Sequence, residues 1–270
     1  MTRYKRLFGG GKNVIAMVHL GAMPGAPLHD ADRGVDGIIA DARADLLALQ
    51  AAGFDAVMFG NENDRPYELQ VDVASTATMA YVIGRLQDEI SVPFGVNVLW
   101  DPRSTMALAA ATRAGFVREI FTGTYASDMG PWNPDAGAAL RYGRSVGAGD
   151  VVKLYNVSAE FAYSLDGRSL PDRARSAVFS SIPDAVLVSG AITGEAATMS
   201  DLEAVKRVLP TTPVLANTGV KHDTVADVLA VADGVIVGSA LKVDGDTWAA
   251  VDPDRARQFM DRVRTMRGGS

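Results

Sequence analysis

The sequence predicts an α/β fold, specifically a single (β/α)8 TIM barrel. Short runs rich in Val, Ile and Phe alternate with longer Ala- and Leu-rich segments along the whole chain, and this alternation is typical of a parallel sheet. No linker or composition break divides residues 1–270, so one domain is expected. Consecutive βα units without an antiparallel insertion favour a closed barrel, because an open sheet would need a topological switch point.

The predicted strands are apolar throughout, as strands covered on both faces should be. They cover residues 13–20, 54–60, 93–99, 117–121, 150–155, 184–189, 212–216 and 234–238. In several of the helical segments alanine recurs at every third or fourth position, which suits close packing on a sheet. The predicted helices cover residues 36–52, 68–89, 104–114, 134–146, 170–180, 201–208, 223–232 and 253–266.

Composition and charge exclude several classes of protein. The chain has no cysteine, which excludes disulfides, thiolate metal sites and cysteine nucleophiles. The net charge is -6 and the basic residues are scattered, so nucleic acid is not an expected partner. The N-terminus has no signal-peptide core, and no apolar run approaches the roughly 20 residues of a membrane span. We therefore expect a cytoplasmic protein.

Barrel active sites are built from the loops that follow the strands, so polar residues at strand ends are the candidate catalytic residues. His19 ends the first strand. Glu62 follows the second strand and is the best candidate for a general acid or base. Asn97 lies inside the third strand, where a polar side chain is costly unless it meets a partner or a ligand.

Three further residues complete the candidate catalytic set. Asp101 follows the third strand, and Asp128 lies in a long loop after the fourth strand; long barrel loops are often lids. Lys153 lies within the fifth strand. An inward-pointing Lys153 would serve as a Schiff-base nucleophile, as a fixed positive charge, or as the ion-pair partner of Glu62 or Asp101.

Loops rich in glycine and hydroxyl groups follow the last three strands. Glycine lets backbone N–H groups approach an anion, and the loops after strands seven and eight are the usual phosphate site of a barrel. The alternative is that these glycines serve only tight turns. The candidate phosphate- or substrate-binding residues are Asn61, Ser189, Gly190, Thr193, Gly194, Asn217, Thr218, Gly219, Gly238, Ser239, Lys242 and Asp244.

No spacing in the chain is diagnostic of a metal site, and no metal ligand is predicted. His19, Glu62 and Asp64 have the chemistry to bind a divalent cation, but ordinary hydrogen bonding is the simpler interpretation. The sequence leaves the need for a divalent cation open. It also leaves open whether the chain forms a homo-oligomer.

Several segments carry a resemblance to a known family. They are residues 17–25 (MVHLGAMPG), 95–99 (GVNVL) and 232–242 (ADGVIVGSALK), together with Ser189-Gly190 and Thr193-Gly194. At these residues, and over nearly its full length, the chain resembles the BtpA/SgcQ family. The resemblance implies a single BtpA-like TIM-barrel domain over residues 1–270, distantly similar to phosphate-binding barrels.

Two classes of function follow. The first is an enzyme that acts on a small phosphorylated sugar or nucleoside-like substrate by lyase, isomerase or glycosidic-bond chemistry, with a phosphate anchor and an acid/base group at one barrel mouth. The second is a non-catalytic assembly or stability factor, which the family's role in photosystem I biogenesis implies. A scaffold has no need of so many polar side chains at one rim, which favours the enzyme.

Overall fold

Eight parallel strands close into a barrel in the computed structural model, which describes residues 1–268. In chain order the strands are β1 (Asn13–His19), β2 (Ala56–Gly60), β3 (Phe94–Asn97), β4 (Phe116–Glu119), β5 (Tyr125–Ser127), β6 (Gly130–Trp132), β7 (Val152–Asn156), β8 (Ala162–Ser164), β9 (Ala185–Val188), β10 (Val214–Ala216) and β11 (Gly234–Val237). The barrel has the cyclic order β1-β2-β3-β4-β7-β9-β10-β11, and β11 pairs with β1 to close it. The predicted (β/α)8 TIM barrel is confirmed.

Helices that follow the barrel strands form the outer layer, and one short helix precedes β1. They are α1 (Arg3–Phe8), α2 (Gly34–Ala52), α3 (Val73–Leu86), α4 (Pro102–Thr112), α5 (Ala136–Ser145), α6 (Leu170–Ser181), α7 (Met199–Val208), α8 (Val225–Val231) and α9 (Pro253–Gly268). Helix α3 begins later than predicted, because the Asp72 carboxylate accepts a hydrogen bond from the Ala74 N–H and caps the helix there. Within residues 1–268, none of the helices is long and apolar enough to cross a membrane.

The barrel interior forms an apolar core separate from the layer between strands and helices. Side chains alternate between the two faces of a strand, and Ile15, Met17 and Phe116 are among those that point inward. Helix α1, which the sequence did not predict, closes the amino end of the barrel. Its Tyr4 is 3% exposed, and the Phe8 ring lies 5.2 Å from that of Phe116. A ligand therefore has access at the carboxyl end.

A small antiparallel sheet covers part of the carboxyl end. Strands β5 and β6 follow β4, β8 follows β7, and the three pair in the order β6-β5-β8. Tyr125 and Trp132 are each 3% exposed, and the Trp132 ring lies 5.7 Å from that of Trp100. Because these rings are buried against one another, the long loop after the fourth barrel strand is a packed wall of the mouth rather than the lid that its length predicts.

Candidate active site at the barrel mouth

A pocket of about 680 Å³ opens at the carboxyl end of the barrel. Its walls come from the loops that follow the barrel strands, as predicted for the fold. Ten of the residues selected from the sequence line it: His19, Glu62, Thr193, Gly194, Asn217, Thr218, Gly219, Gly238, Ser239 and Asp244. The structure therefore brings together residues that are far apart in the chain.

Glu62 is a buried carboxyl group in the wall of this pocket. The residue is 4% exposed, and Oε2 has no hydrogen-bond partner among the described residues. Burial raises the pKa of Glu62 to about 7, and the charge of Arg118 offsets part of this effect. A carboxyl group with a pKa near neutrality both donates and accepts a proton at physiological pH, which is what general acid–base catalysis requires.

His19 lies beside Glu62 and is neutral. Its Nε2 is 3.9 Å from Glu62 Oε1, and its Nδ1 is 3.3 Å from the Thr247 carbonyl oxygen. Because a carbonyl oxygen only accepts hydrogen bonds, Nδ1 carries the proton and Nε2 presents a lone pair toward Glu62. Burial and the charge of Lys242 lower the pKa of His19 to about 3. His19 therefore offers a neutral acceptor next to the acid/base candidate.

Arg118, on β4, supplies a buried positive charge to the pocket. Its Nε donates to Asn97 Oδ1 at 2.9 Å and its Nη1 donates to Asn217 Oδ1 at 3.2 Å. Asn97 Nδ2 in turn donates to Glu119 Oε1 at 2.9 Å, and burial raises the pKa of Glu119 to about 8. Asn97 is fully buried and does not line the pocket, so its place in the site is to hold Arg118.

Glu160 continues this polar network on the other side of Asn217. Its Oε1 accepts from Asn217 Nδ2 at 3.2 Å and from Ser189 Oγ at 3.3 Å, and its Oε2 accepts from Thr193 Oγ1 at 3.1 Å. Burial raises the pKa of Glu160. Ser189 lies behind the pocket wall and supports Glu160, whereas Thr193 lines the pocket. The network thus fixes a second carboxyl group in the wall.

Sequence reasoning missed Arg118, Glu119 and Glu160. For Arg118 and Glu119 a signal was present, because a charged residue inside an apolar strand is as costly as the asparagine selected in β3. Glu160 lies in a loop between β7 and β8. Because it is separated from the strand end, no sequence signal pointed to it.

The rim of the pocket has donors that suit an anion. Ser239 and Ala240 begin a 3-10 turn (Ser239–Leu241) after β11, and the first N–H groups of such a turn have no partner within it. Arg255 and Lys221 are exposed cations that also line the pocket. Anionic groups are favoured where backbone N–H groups and cations converge.

Close packing at the rim of the pocket leaves no room for a side chain at two glycines, Gly219 and Gly238. A Cβ at Gly219, which has a φ of +66°, would lie 2.0 Å from Ala196 N, so the loops after β9 and β10 could not meet. A Cβ at Gly238 would lie 2.9 Å from His19 Nε2. A bulky residue at either position would therefore displace a neighbouring loop or His19 in addition to obstructing the approach of an anion.

Several sequence-selected residues stabilise the loops without lining the pocket. Asp101 caps α4, since its carboxylate accepts from the N–H groups of Arg103 and Ser104. Asn61 Oδ1 accepts from the Leu99 N–H at 2.7 Å. Asp128 lies in the turn between β5 and β6, and Gly190 donates its N–H to Thr218 Oγ1 at 2.7 Å. None of these four lies in the pocket wall.

Lys242 is also absent from the pocket wall. Its ammonium group is buried and donates to Asp45 Oδ2 at 2.7 Å. Asp45 Oδ1 accepts from the Val251 N–H at 2.8 Å, so the pair ties α2 to the segment after β11. The expectation that Lys242 helps to bind phosphate does not fit this geometry, because its charge is committed to Asp45.

Lys153 points outward from the barrel, toward the helices. Its neighbours Val152 and Leu154 belong to the barrel interior, so Lys153 faces the other way. Its Nζ donates to the carbonyl oxygens of Gly149 and Val151 and lies 3.8 Å from Asp184 Oδ2. The expected inward orientation, with an ion pair to Glu62 or Asp101, is therefore wrong.

Lys153→Met is accordingly expected to leave the affinity for inorganic phosphate unchanged, because the side chain lies away from the pocket. The free energy of unfolding should fall by about 1 kcal/mol, since two half-buried carbonyl oxygens lose their donor. Isothermal calorimetry and urea denaturation measure the two quantities. Borohydride trapping of a carbonyl compound on Lys153, located by mass spectrometry, would contradict this placement.

No group of three or more His, Asp or Glu side chains within residues 1–268 is arranged to hold a metal ion. Of the three residues considered from the sequence, Asp64 is occupied by other contacts. Its Oδ1 accepts from the Met23 N–H at 2.6 Å, and its Oδ2 accepts from Asn61 Nδ2 at 3.2 Å.

The chain matches a known protein family over most of its length. The sequence model of the BtpA family matches residues 11–265. Over 267 residues the chain is 46% identical to the putative sgc region protein SgcQ of Escherichia coli K12, covering 99% of this chain and 100% of that protein. It is 32% identical over 253 residues to the photosystem I biogenesis protein BtpA of Synechocystis, covering 93% and 87% of the two chains.

Among solved structures, an archaeal fructose 1,6-bisphosphate aldolase superposes with a TM-score of 0.56 at 18% sequence identity, covering 97% of this chain and 98% of the aldolase. At this level of identity the likeness concerns the barrel fold alone.

Proposed function

The chain belongs to the BtpA family, and we propose that it is an enzyme that acts on a small phosphorylated sugar or nucleoside-like substrate by lyase, isomerase or glycosidic-bond chemistry. The observation that carries this proposal is Glu62, a buried carboxyl group with an unpartnered Oε2 and a pKa raised to about 7, in the wall of the barrel pocket. A structural carboxylate would be paired, because burying an unpaired one costs free energy.

The side chains around Glu62 have complementary roles in this proposal. Glu62 transfers the proton, and the neutral His19 accepts a hydrogen bond from a substrate hydroxyl group. Arg118 supplies the fixed positive charge that stabilises negative charge developing on the substrate. This is the role that the sequence offered to Lys153.

The phosphate group of the substrate would bind at the rim, against the N–H groups of Ser239 and Ala240 and the cations Arg255 and Lys221. The loops after the seventh and eighth barrel strands are the usual phosphate site of this fold. The exposed rim and the buried titratable groups then hold the two ends of one substrate, and fixing both ends positions the reacting bonds.

The anchor is tested by titration with inorganic phosphate. Arg255→Met is expected to weaken phosphate binding about threefold, because it removes an exposed cation whose field is screened by solvent and salt. Arg257→Met, on the same helix but outside the pocket, is the matched control and should bind phosphate as the wild type does. Isothermal calorimetry at low ionic strength measures both affinities.

A non-catalytic assembly factor is the second candidate, because a 32% identical relative is named for photosystem I biogenesis. Such a factor needs no ligand in the barrel. Absence of phosphate binding, together with no increase in the unfolding temperature with any sugar phosphate or nucleotide, would favour it over the enzyme.

A further inference from the structure

The deep part of the pocket contains both hydrogen-bond acceptors and a hydrogen-bond donor that are not fully used. Glu62 Oε2 has no partner within the described chain, and His19 Nε2 lies 3.9 Å from Glu62, beyond hydrogen-bond length. Glu160 Oε2 accepts one hydrogen bond, from Thr193, and retains a lone pair. Arg118 uses Nε and Nη1 on the two asparagines, so Nη2 remains available as a donor.

The same region has little exposed aromatic surface. Trp100 is the one large aromatic side chain that lines the pocket within residues 1–268, and it is 1% exposed. Its ring is already packed against Tyr67, Trp132 and Phe161. Met17 and Leu99 also line the pocket and are 4% and 3% exposed.

These two properties separate the substrate classes that the proposed function leaves open. A purine or pyrimidine base gains much of its affinity by stacking on an aromatic face. Within residues 1–268, the bottom of this pocket has no exposed aromatic face. A hydroxyl group both donates and accepts, so several on one molecule match alternating carboxyl, guanidinium and imidazole groups.

We infer that the part of the substrate beyond its phosphate is a chain or ring with several hydroxyl groups, bound by Glu160, Arg118 and the His19–Glu62 pair, and not a nucleobase. This inference rests on the proposed function, because it assumes that the pocket binds a phosphorylated compound.

The test compares probes that share a phosphate group. Inorganic phosphate, ribose 5-phosphate, glucose 6-phosphate and UMP are titrated into the wild-type protein by calorimetry. We expect at least one of the two sugar phosphates to bind ten times more tightly than inorganic phosphate or more. UMP, which adds a base to ribose 5-phosphate, should bind no more tightly than ribose 5-phosphate.

Glu160→Gln then tests the hydroxyl contacts. Glutamine keeps the shape and can still accept from Asn217 and Ser189, so the protein should fold and its phosphate affinity should stay at the wild-type value. The affinity for the sugar phosphate should fall at least fivefold. Glu203→Gln removes a carboxylate from an exposed position on α7, outside the pocket wall, and is the matched control, for which the sugar phosphate affinity should not change.

Three results would overturn the inference. UMP binding tenfold more tightly than ribose 5-phosphate would assign the deep pocket to a base. Sugar phosphates binding no better than inorganic phosphate would remove the hydroxyl contacts while leaving the phosphate anchor in place. Absence of binding by all four probes, inorganic phosphate included, would mean that the proposed function itself fails.

Discussion

Glu62→Gln is expected to lower the turnover of a phosphorylated substrate by about a hundredfold or more, while the substrate still binds. Glutamine retains the shape of the side chain but cannot exchange a proton. Arg118, Glu160 and the rim donors are untouched, so the loss should appear in kcat rather than in Kd. Single-turnover kinetics and calorimetry on the same variant separate the two quantities, and unchanged turnover would remove Glu62 from the chemistry.

The same variant makes a prediction about stability that requires no substrate. Burial raises the pKa of Glu62 from 4.5 to about 7, so the folded state holds its proton more tightly than the unfolded state. Below pH 4.5 the carboxyl is protonated in both states, and the stabilising effect of its higher folded-state pKa is fully present. Between the two pKa values that effect is lost as pH rises, and above about pH 7 the charged group is buried at full cost.

A glutamine at position 62 is uncharged, so it has no cost of burying a charge at any pH. The free energy of unfolding of Glu62→Gln, relative to that of the wild type, should therefore rise by about 3 kcal/mol between pH 4.5 and pH 8. Urea denaturation at the two pH values measures this difference. Glu203→Gln, at an exposed carboxylate on α7, is the control and should follow the wild type at both pH values. An equal change in the free energy of unfolding between the two pH values for Glu62→Gln and the wild type would mean that the carboxyl group is not buried as described.

Lys242→Met is expected to lower the free energy of unfolding by about 3–5 kcal/mol, because it leaves a buried carboxylate without its countercharge. Asp45 is 6% exposed and would keep only its hydrogen bond from the Val251 N–H. The double variant Asp45→Asn with Lys242→Met removes both charges and should recover at least half of the loss. Urea denaturation of the two single variants and the double variant gives the coupling energy.

Phosphate binding distinguishes the stabilising role of Lys242 from the phosphate-binding role that the sequence suggests for it. Lys242 lies outside the pocket wall, so Lys242→Met should bind inorganic phosphate with an affinity within about twofold of the wild type. A large loss of phosphate affinity with unchanged stability would restore Lys242 to the anion site.

His19 and Glu62 could be selected from the sequence, because parallel strands bring their carboxyl ends to one edge and the residue that ends each strand must lie there. The same argument could not place Lys153, since side chains on a strand alternate between its faces and a shift of one residue reverses the assignment. Val152 and Leu154 take the inward positions, which leaves Lys153 among the helices.

The sequence by itself determined the barrel, the order of its strands and the end at which the polar loops gather, because these follow from local apolar runs and from the short connections of a βα chain. Only the tertiary structure decided which polar groups are partnered. Lys242 is neutralised by Asp45, from a helix about 200 residues earlier in the chain, and Arg118 is held by asparagines from two other barrel strands or their ends. Whether a charge is satisfied depends on contacts between distant segments, and no local pattern records them.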